Sequence, residues 1–226
     1  MHYPKTEDLF AIDDQYLVGS DLLVKPVTSP GVVETAVKFP TDDTWYDAES
    51  LKVVSSSSHA GSYQEITVPS DLDTIPVFQR GGSVIARKLR LRRSTHMMTN
   101  DPYTLYIALD ASKKAMGALY MDDEETFNHQ RNSEYALAHF SIDFSTKTGI
   151  ISNAVELGAG WTGHLESAPH SFTVERIIVM GVEEAPYSVD IGSSTLGFTY
   201  DSHAKVLVIR RPNTSALANW EMVVKS

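Results

Sequence analysis

From about Leu22 onward no stretch carries a helical apolar period long enough for a helix that crosses over between parallel strands. What recurs instead is a series of short runs rich in Val, Ile, Tyr, Phe and Thr, broken by Gly, Pro, Asp and Ser. That pattern restricts the chain to packed β-sheets, and the lack of crossover helices predicts antiparallel pairing. Leu22–Val27, Val32–Phe39, Tyr63–Val68 and Val77–Gln79 read as strands, with turns at Pro30-Gly31, Ser55–Ser58 and Gly81-Gly82. A second series follows at Thr104–Leu109, Ala118–Met121, Ala136–Phe144, Gly149–Ile151, Thr173–Met180, Tyr187–Ile191, Gly197–Tyr200, Val206–Arg210 and Trp220–Val224. Ala136, Ala138, Phe140, Ile142 and Phe144 alternate with more polar neighbours, as a half-buried strand requires. The one helix candidate is Asp13–Val18, with Asp13 as N-cap and Gly19 just past its end. Two sandwich- or barrel-like units fit, joined near Arg87–Pro102.

Composition narrows the function classes. With 42% hydrophobic and 21% charged residues in 226, the chain has an ordinary globular balance. No run approaches the roughly 18 consecutive apolar residues of a membrane-spanning helix. The 19 basic against 29 acidic residues give a net charge of −10, which disfavours nucleic acid as a partner. Cysteine is absent, so disulfides, thiolate catalysis and Cys-ligated zinc are excluded. Residues Met1–Thr6 show no signal-peptide pattern and read as the tail end of something, so the chain is either a complete cytosolic protein or a piece of a longer one, and the motifs below favour the piece.

Several motifs look chemical and resolve into structure. Gly158-Ala159-Gly160-Trp161-Thr162-Gly163 matches the dinucleotide fingerprint, but a β-rich run follows it where the phosphate-binding helix is required, so it reads as a turn. Gly81-Gly82-Ser83-Val84-Ile85 resembles a nucleophile elbow without its second glycine. The eight histidines, His2, His59, His96, His129, His139, His164, His170 and His203, include no pair at metal-binding spacing. Asp122-Asp123-Glu124-Glu125 lacks the ligand alternation of a calcium loop and reads as a solvated turn. Arg87-Lys88-Leu89-Arg90-Leu91-Arg92-Arg93 puts five cations together at the join, where docking onto acidic neighbours is expected. Glycoside hydrolysis needs two facing carboxylates. Asp13-Asp14, Asp42-Asp43, Asp71 with Asp73 and Asp122-Asp123 supply the residue type, but neighbours in extended chain point to opposite faces.

Longer phrases carry a resemblance. Asp13–Val27 is similar to the segment where the (β/α)8 barrel of family 31 glycoside hydrolases ends and the proximal β-domain begins. Trp45-Tyr46-Asp47 and Ile75–Ile85 resemble two further signatures of that domain. Leu119–Asp123 with Thr126-Phe127-Asn128 is similar to the distal domain's turn, with Glu124 where the family usually has glycine. Arg92-Arg93-Ser94, Met97, Asp101-Pro102 and Thr104-Leu105 resemble the branch whose members are catalytic α-subunits of two-subunit glucosidases of the endoplasmic reticulum.

The resemblance implies an all-β chain of two antiparallel sandwich- or barrel-like C-terminal domains preceded by a barrel end. Its segments would be 1–20 (end of the catalytic barrel), 21–96 (proximal domain) and 97–226 (distal sandwich). It implies a retaining α-glucosidase that trims α-1,3-linked glucose from N-linked glycans in the endoplasmic reticulum lumen. The partners would be the N-terminal and barrel part of the same subunit, a regulatory β-subunit and the N-glycan substrate, with no nucleic acid and no membrane span. No cofactor or metal is expected. The family's nucleophile lies in a W-x-D-M-N-E phrase that this sequence does not contain, so no catalytic residue is carried over and the chain alone is expected to be inactive. Ile12, Tyr16, Leu17, Leu22 and Phe78 are the candidates for packing against the barrel. Asn213-Thr214-Ser215 is an N-glycosylation sequon, and Pro212 favours an extended or turn backbone before it. The competing reading is a stand-alone carbohydrate-binding or interaction sandwich in which Trp45, Trp161 and Trp220 supply a stacking platform.

Overall fold

The computed structural model describes residues 2–161 and 172–226. Their regular elements are eighteen strands, two 3-10 turns and one short helix, Asn128–Arg131. The first seven strands are β1 (Tyr16–Val18), β2 (Leu22–Val24), β3 (Glu34–Pro40), β4 (Trp45–Asp47), β5 (Val53–Ser55), β6 (Tyr63–Pro69) and β7 (Val77–Arg80). Five of them form a sheet in the order β1-β2-β7-β4-β5, while β3 and β6 make a separate two-stranded ribbon. Leu23, Val37, Phe39, Trp45, Val68 and Phe78, drawn from both, fill one core. Phe39 meets Phe78 edge-on at 4.8 Å, the geometry aromatic quadrupoles favour.

The remaining strands are β8 (Ser83–Lys88), β9 (Tyr103–Ala108), β10 (Lys114–Met121), β11 (Ala136–Asp143), β12 (Thr148–Leu157), β13 (Thr173–Met180), β14 (Ser188–Ile191), β15 (Ser194–Thr195), β16 (Gly197–Asp201), β17 (Val206–Ser215) and β18 (Trp220–Lys225). All eleven join one sheet in the order β15-β14-β18-β12-β11-β10-β8-β9-β13-β17-β16. The predicted alternation in β11 holds: Ala136, Ala138, Phe140 and Ile142 are buried in the core of this sheet.

Two expectations need correction. Residues 13–18 form no helix. Tyr16, Leu17 and Val18 pair antiparallel with Val24, Leu23 and Leu22 around a tight turn at Gly19–Asp21. The β-forming Tyr-Leu-Val run and the strand waiting beside it override the capping signals at Asp13 and Gly19. The large sheet is also mixed, because β13 runs parallel to β9 over six registered pairs from Val174↔Tyr103 to Met180↔Ala108. Among the described residues, the crossover that parallel pairing demands runs through strands β10, β11 and β12 of the same sheet, with only the single-turn helix Asn128–Arg131 between them.

The chain passes between the two sheets at Gly81-Gly82. Gly81 N–H donates to Thr44 O on one side (2.7 Å), and Gly82 N–H donates to Ala108 O on the other (2.8 Å). A small core of Tyr46, Ala108, Ile178, Met180 and Val206 lies at this junction. The strand β8, inside the segment 21–96, hydrogen-bonds along its length to β9 of the large sheet.

Candidate docking surface

The chain before β1 is held by polar contacts that leave its apolar side chains facing out. Tyr3 Oη donates to Asp43 (2.8 Å), which also takes Arg80 Nη1 (3.3 Å). The same guanidinium donates to Ser20 O (2.7 Å) and to Asp21 (3.3 Å). Burial and the hydrogen bond to Asp43 push the Tyr3 phenol well above its usual range, so it stays a neutral donor. The Gln15 carboxamide imitates a strand partner, donating to Lys38 O (2.8 Å) and accepting from Lys38 N–H (3.0 Å). Lys25, buried, pairs with Asp14.

With the backbone so fixed, Phe10, Tyr16 and Val18 stand about half exposed, at 47%, 52% and 51%. Two grooves meet at Tyr16. One, of about 280 Å³, lies among Phe10, Ile12, Tyr16, Leu17 and Pro40. The other, of about 710 Å³, runs past Val24, Pro26, Val27, Leu72 and Ile75. Leu72 is fully exposed and Ile75 largely so, at 71%. A contiguous apolar face of this kind, rimmed by polar residues, marks a contact surface.

The sequence-nominated residues divide by depth. Ile12 lines the first groove half-buried, and Tyr16 belongs to both grooves. Leu17, half-buried, packs on the core of Leu23, Phe39 and Phe78. Leu22 lines a third groove, of about 590 Å³, that also contains Ile75 and Tyr106. Phe78 is 1% exposed inside the chain's own core and has no surface left for another domain. Asn213 is exposed on β17. Sequence reasoning missed Phe10, Val27 and Leu72, all in connecting segments of the structure; for Phe10 and Leu72 an apolar residue outside any strand period was the available signal, whereas Val27 ends the run Leu22–Val27 that reads as a strand.

The other motifs find structural uses. Gly158 and Gly160 lie so close to the backbone of Asn132 and Ser133 that a Cβ at either would fall 1.8–2.1 Å from a carbonyl oxygen. The described part of the fingerprint is therefore a turn packed on a neighbouring loop, and Thr162, Gly163, His164 and His170 lie outside the described residues. The basic run docks as expected. Arg92 holds Asp101 with two hydrogen bonds (2.7 and 3.0 Å), Arg90 reaches Glu175 (3.2 Å), Lys88 reaches Glu124 (3.3 Å) and Arg87 lies over the Tyr106 ring. Within the acidic turn, Asp122 and Asp123 accept backbone N–H groups of Glu124, Glu125 and Thr126. Trp45 is buried, and Trp161 and Trp220 pack against the large core, so the tryptophans form no exposed stacking platform.

A retaining glycosidase keeps one carboxyl protonated by raising its pKa. Here the described carboxyl groups that depart from their ordinary value all move down. Asp101 is lowered by Arg92, Asp143 by Lys114, Glu183 by Lys113 and Lys205, Asp201 by backbone N–H groups, and Asp190 is lowered to about 2 by Ser188, Thr195 and Lys225. No group of three or more His, Asp or Glu positioned for a metal ion occurs among the described residues.

Comparison with known proteins bears on what this face meets. Residues 1–85 match the model of the glycosyl hydrolase family 31 C-terminal domain. Neutral alpha-glucosidase AB of Dictyostelium discoideum is 36% identical over 231 residues, covering 100% of this chain and 22% of that protein. The chain thus spans about a fifth of the length of the curated relatives it matches. A crystal structure of a glucosidase II α-subunit bound to α3-Glc2 superposes with a TM-score of 0.75 at 27% identity, covering 95% of this chain and 24% of that one. A heterodimeric ER glucosidase II complex, of the catalytic subunit with the binding domain of the regulatory subunit, gives 0.72 at 26% identity over the same shares. In sequence and in fold, the chain belongs to glycoside hydrolase family 31 and corresponds to its C-terminal β-region.

Proposed function

We propose that this chain is the non-catalytic C-terminal part of an α-glucosidase that removes α-1,3-linked glucose from N-linked glycans. It supports the catalytic barrel by docking the face around Tyr16 against it. The observation that carries this reading is the polar clamp of Arg80, Asp43, Tyr3 and Gln15, which fixes the first twenty residues while leaving Phe10, Tyr16, Leu72 and Ile75 uncovered. Burying such side chains stabilises by about 1.5–3 kcal/mol each, so a domain seated there gains substantially. The α3-Glc2 ligand of the similar α-subunit supports the linkage, and the similar heterodimer supports a regulatory subunit as partner. Both point to the lumen of the endoplasmic reticulum as the working compartment. In this reading segment 1–20 is the end of the catalytic barrel, followed by 21–96 as the proximal domain and 97–226 as the distal one.

Chemistry in this reading belongs to two carboxylates on the barrel, one nucleophilic and one a general acid/base. Purified chain and complete protein are compared on a chromogenic α-glucoside. The complete protein turns over and the isolated chain does not; turnover by the isolated chain overturns the proposal.

A further inference from the structure

We infer that Asn213 carries an N-linked glycan, and that this glycan covers an open sheet edge at the end of β17. The inference rests on the lumenal compartment proposed above. Three observations place a modifiable asparagine there. Strand β17 pairs with β13 as Arg210↔Arg176 and then, after a shift, as Thr214↔Val174, so Arg211, Pro212 and Asn213 bulge opposite Glu175. Pro212 is buried, which anchors the bulge, and Asn213 is exposed at φ +47, a left-handed conformation asparagine tolerates better than most residues. No described group hydrogen-bonds the Asn213 carboxamide, so modifying it sacrifices no native contact.

The edge supplies the reason for a glycan. On the other side of β17, strand β16 pairs only as far as Gly197↔Arg210. Beyond that point residues 211–215 have no strand partner on that side among the described residues. Exposed edges of this kind recruit other strands unless they are blunted. A bulge, a buried proline and a hydrated oligosaccharide together blunt this one. The transfer takes an oligosaccharide from a polyprenyl diphosphate donor. The Asn213 Nδ2–C1 bond forms, the C1–oxygen bond to phosphate breaks, polyprenyl diphosphate leaves and the amide gives up one proton.

The test maps the Asn213 peptide by mass spectrometry in the complete protein from its own host, before and after enzymatic deglycosylation. A parallel sample is made behind a heterologous secretory leader. The expected result is an occupied Asn213 in both, with the glycan peptide lost in Asn213→Asp and in Asn213→Gly, either of which keeps the left-handed backbone accessible. An Asn213 that is bare in both samples overturns the inference and leaves the compartment untouched. An Asn213 occupied only behind the leader overturns it as well, and assigns the failure to the lumenal reading.

Discussion

The Tyr46 hydroxyl, on a strand of the five-stranded sheet, donates to the carbonyl of Leu109 at 2.8 Å, just past the end of β9 in the large sheet. Burial pushes this phenol well above its usual range, so the bond is between a neutral donor and a neutral acceptor. The next residue past β13, Gly181, leaves room for the hydroxyl, since a Cβ there would sit 2.3 Å from it. Ring, carbonyl and missing Cβ together make the two sheets one packed body at this point.

Tyr46→Phe keeps the ring and leaves a buried carbonyl unpaired, which costs about 1–3 kcal/mol. Gly181→Ala, which meets the hydroxyl and a φ of +88, is expected to cost at least as much. Urea denaturation of both variants checks this, and midpoints equal to the parent's would show that the junction carries no stability.

Glu124 occupies a position where the backbone is left-handed, at φ +58. That is the physical reason a glycine suits this turn. The side chain compensates by accepting from Thr99 Oγ1 (2.9 Å) and pairing with Lys88 (3.3 Å). Glu124→Ala removes both contacts and keeps the strain, whereas Glu124→Gly removes the contacts and the strain. Glycine should therefore be the more stable of the two by about 1 kcal/mol. Equal midpoints in chemical denaturation would contradict the backbone account.

Stability should form a plateau across neutral pH and fall on both sides. The carboxyls of Asp101, Asp143, Glu183, Asp190 and Asp201 are lowered in the folded chain. Below the ordinary carboxylate range of about 4 the unfolded chain then binds more protons, and stability drops as pH falls toward about 2, the Asp190 value. Tyr103 is raised to about 12 by burial, so its contribution is intact below about 10 and is lost as pH rises toward 12. Thermal melting from pH 2 to 12 reads this directly; a melting temperature that climbs below pH 4 would contradict it.

The strand β11 was legible because its alternation matches one face buried along its length, and β13 because its continuous apolar run Ile177–Met180 is buried on both faces. The three-residue strands β1, β4 and β5 are too short to show a period, and their neighbours in the sheet decide them. Parallel pairing of β9 with β13 was hidden because, among the described residues, the chain between them runs through strands β10, β11 and β12 and one single-turn helix, with no long crossover helix to signal it. Phe78 and Tyr16 look alike in sequence as large apolar residues. Only the sheet arrangement separates them, placing Phe78 against Phe39 and Tyr16 on an outer edge strand. Phe78→Ala is accordingly expected to cost about 3–5 kcal/mol in the isolated chain, read as a lowered melting temperature; an unchanged one would remove Phe78 from the core.

Tyr16 tests the docking account most directly, because its burial should depend on whether the catalytic part is present. The measurement is the change in melting temperature caused by Tyr16→Ala, made once in the isolated chain and once in the complete protein. In the isolated chain, where Tyr16 is 52% exposed, the change should be small. In the complete protein it should correspond to about 2–4 kcal/mol, as for truncation of a buried aromatic. Equal, small changes in both would contradict the account, since Tyr16 would then be exposed in the complete protein too.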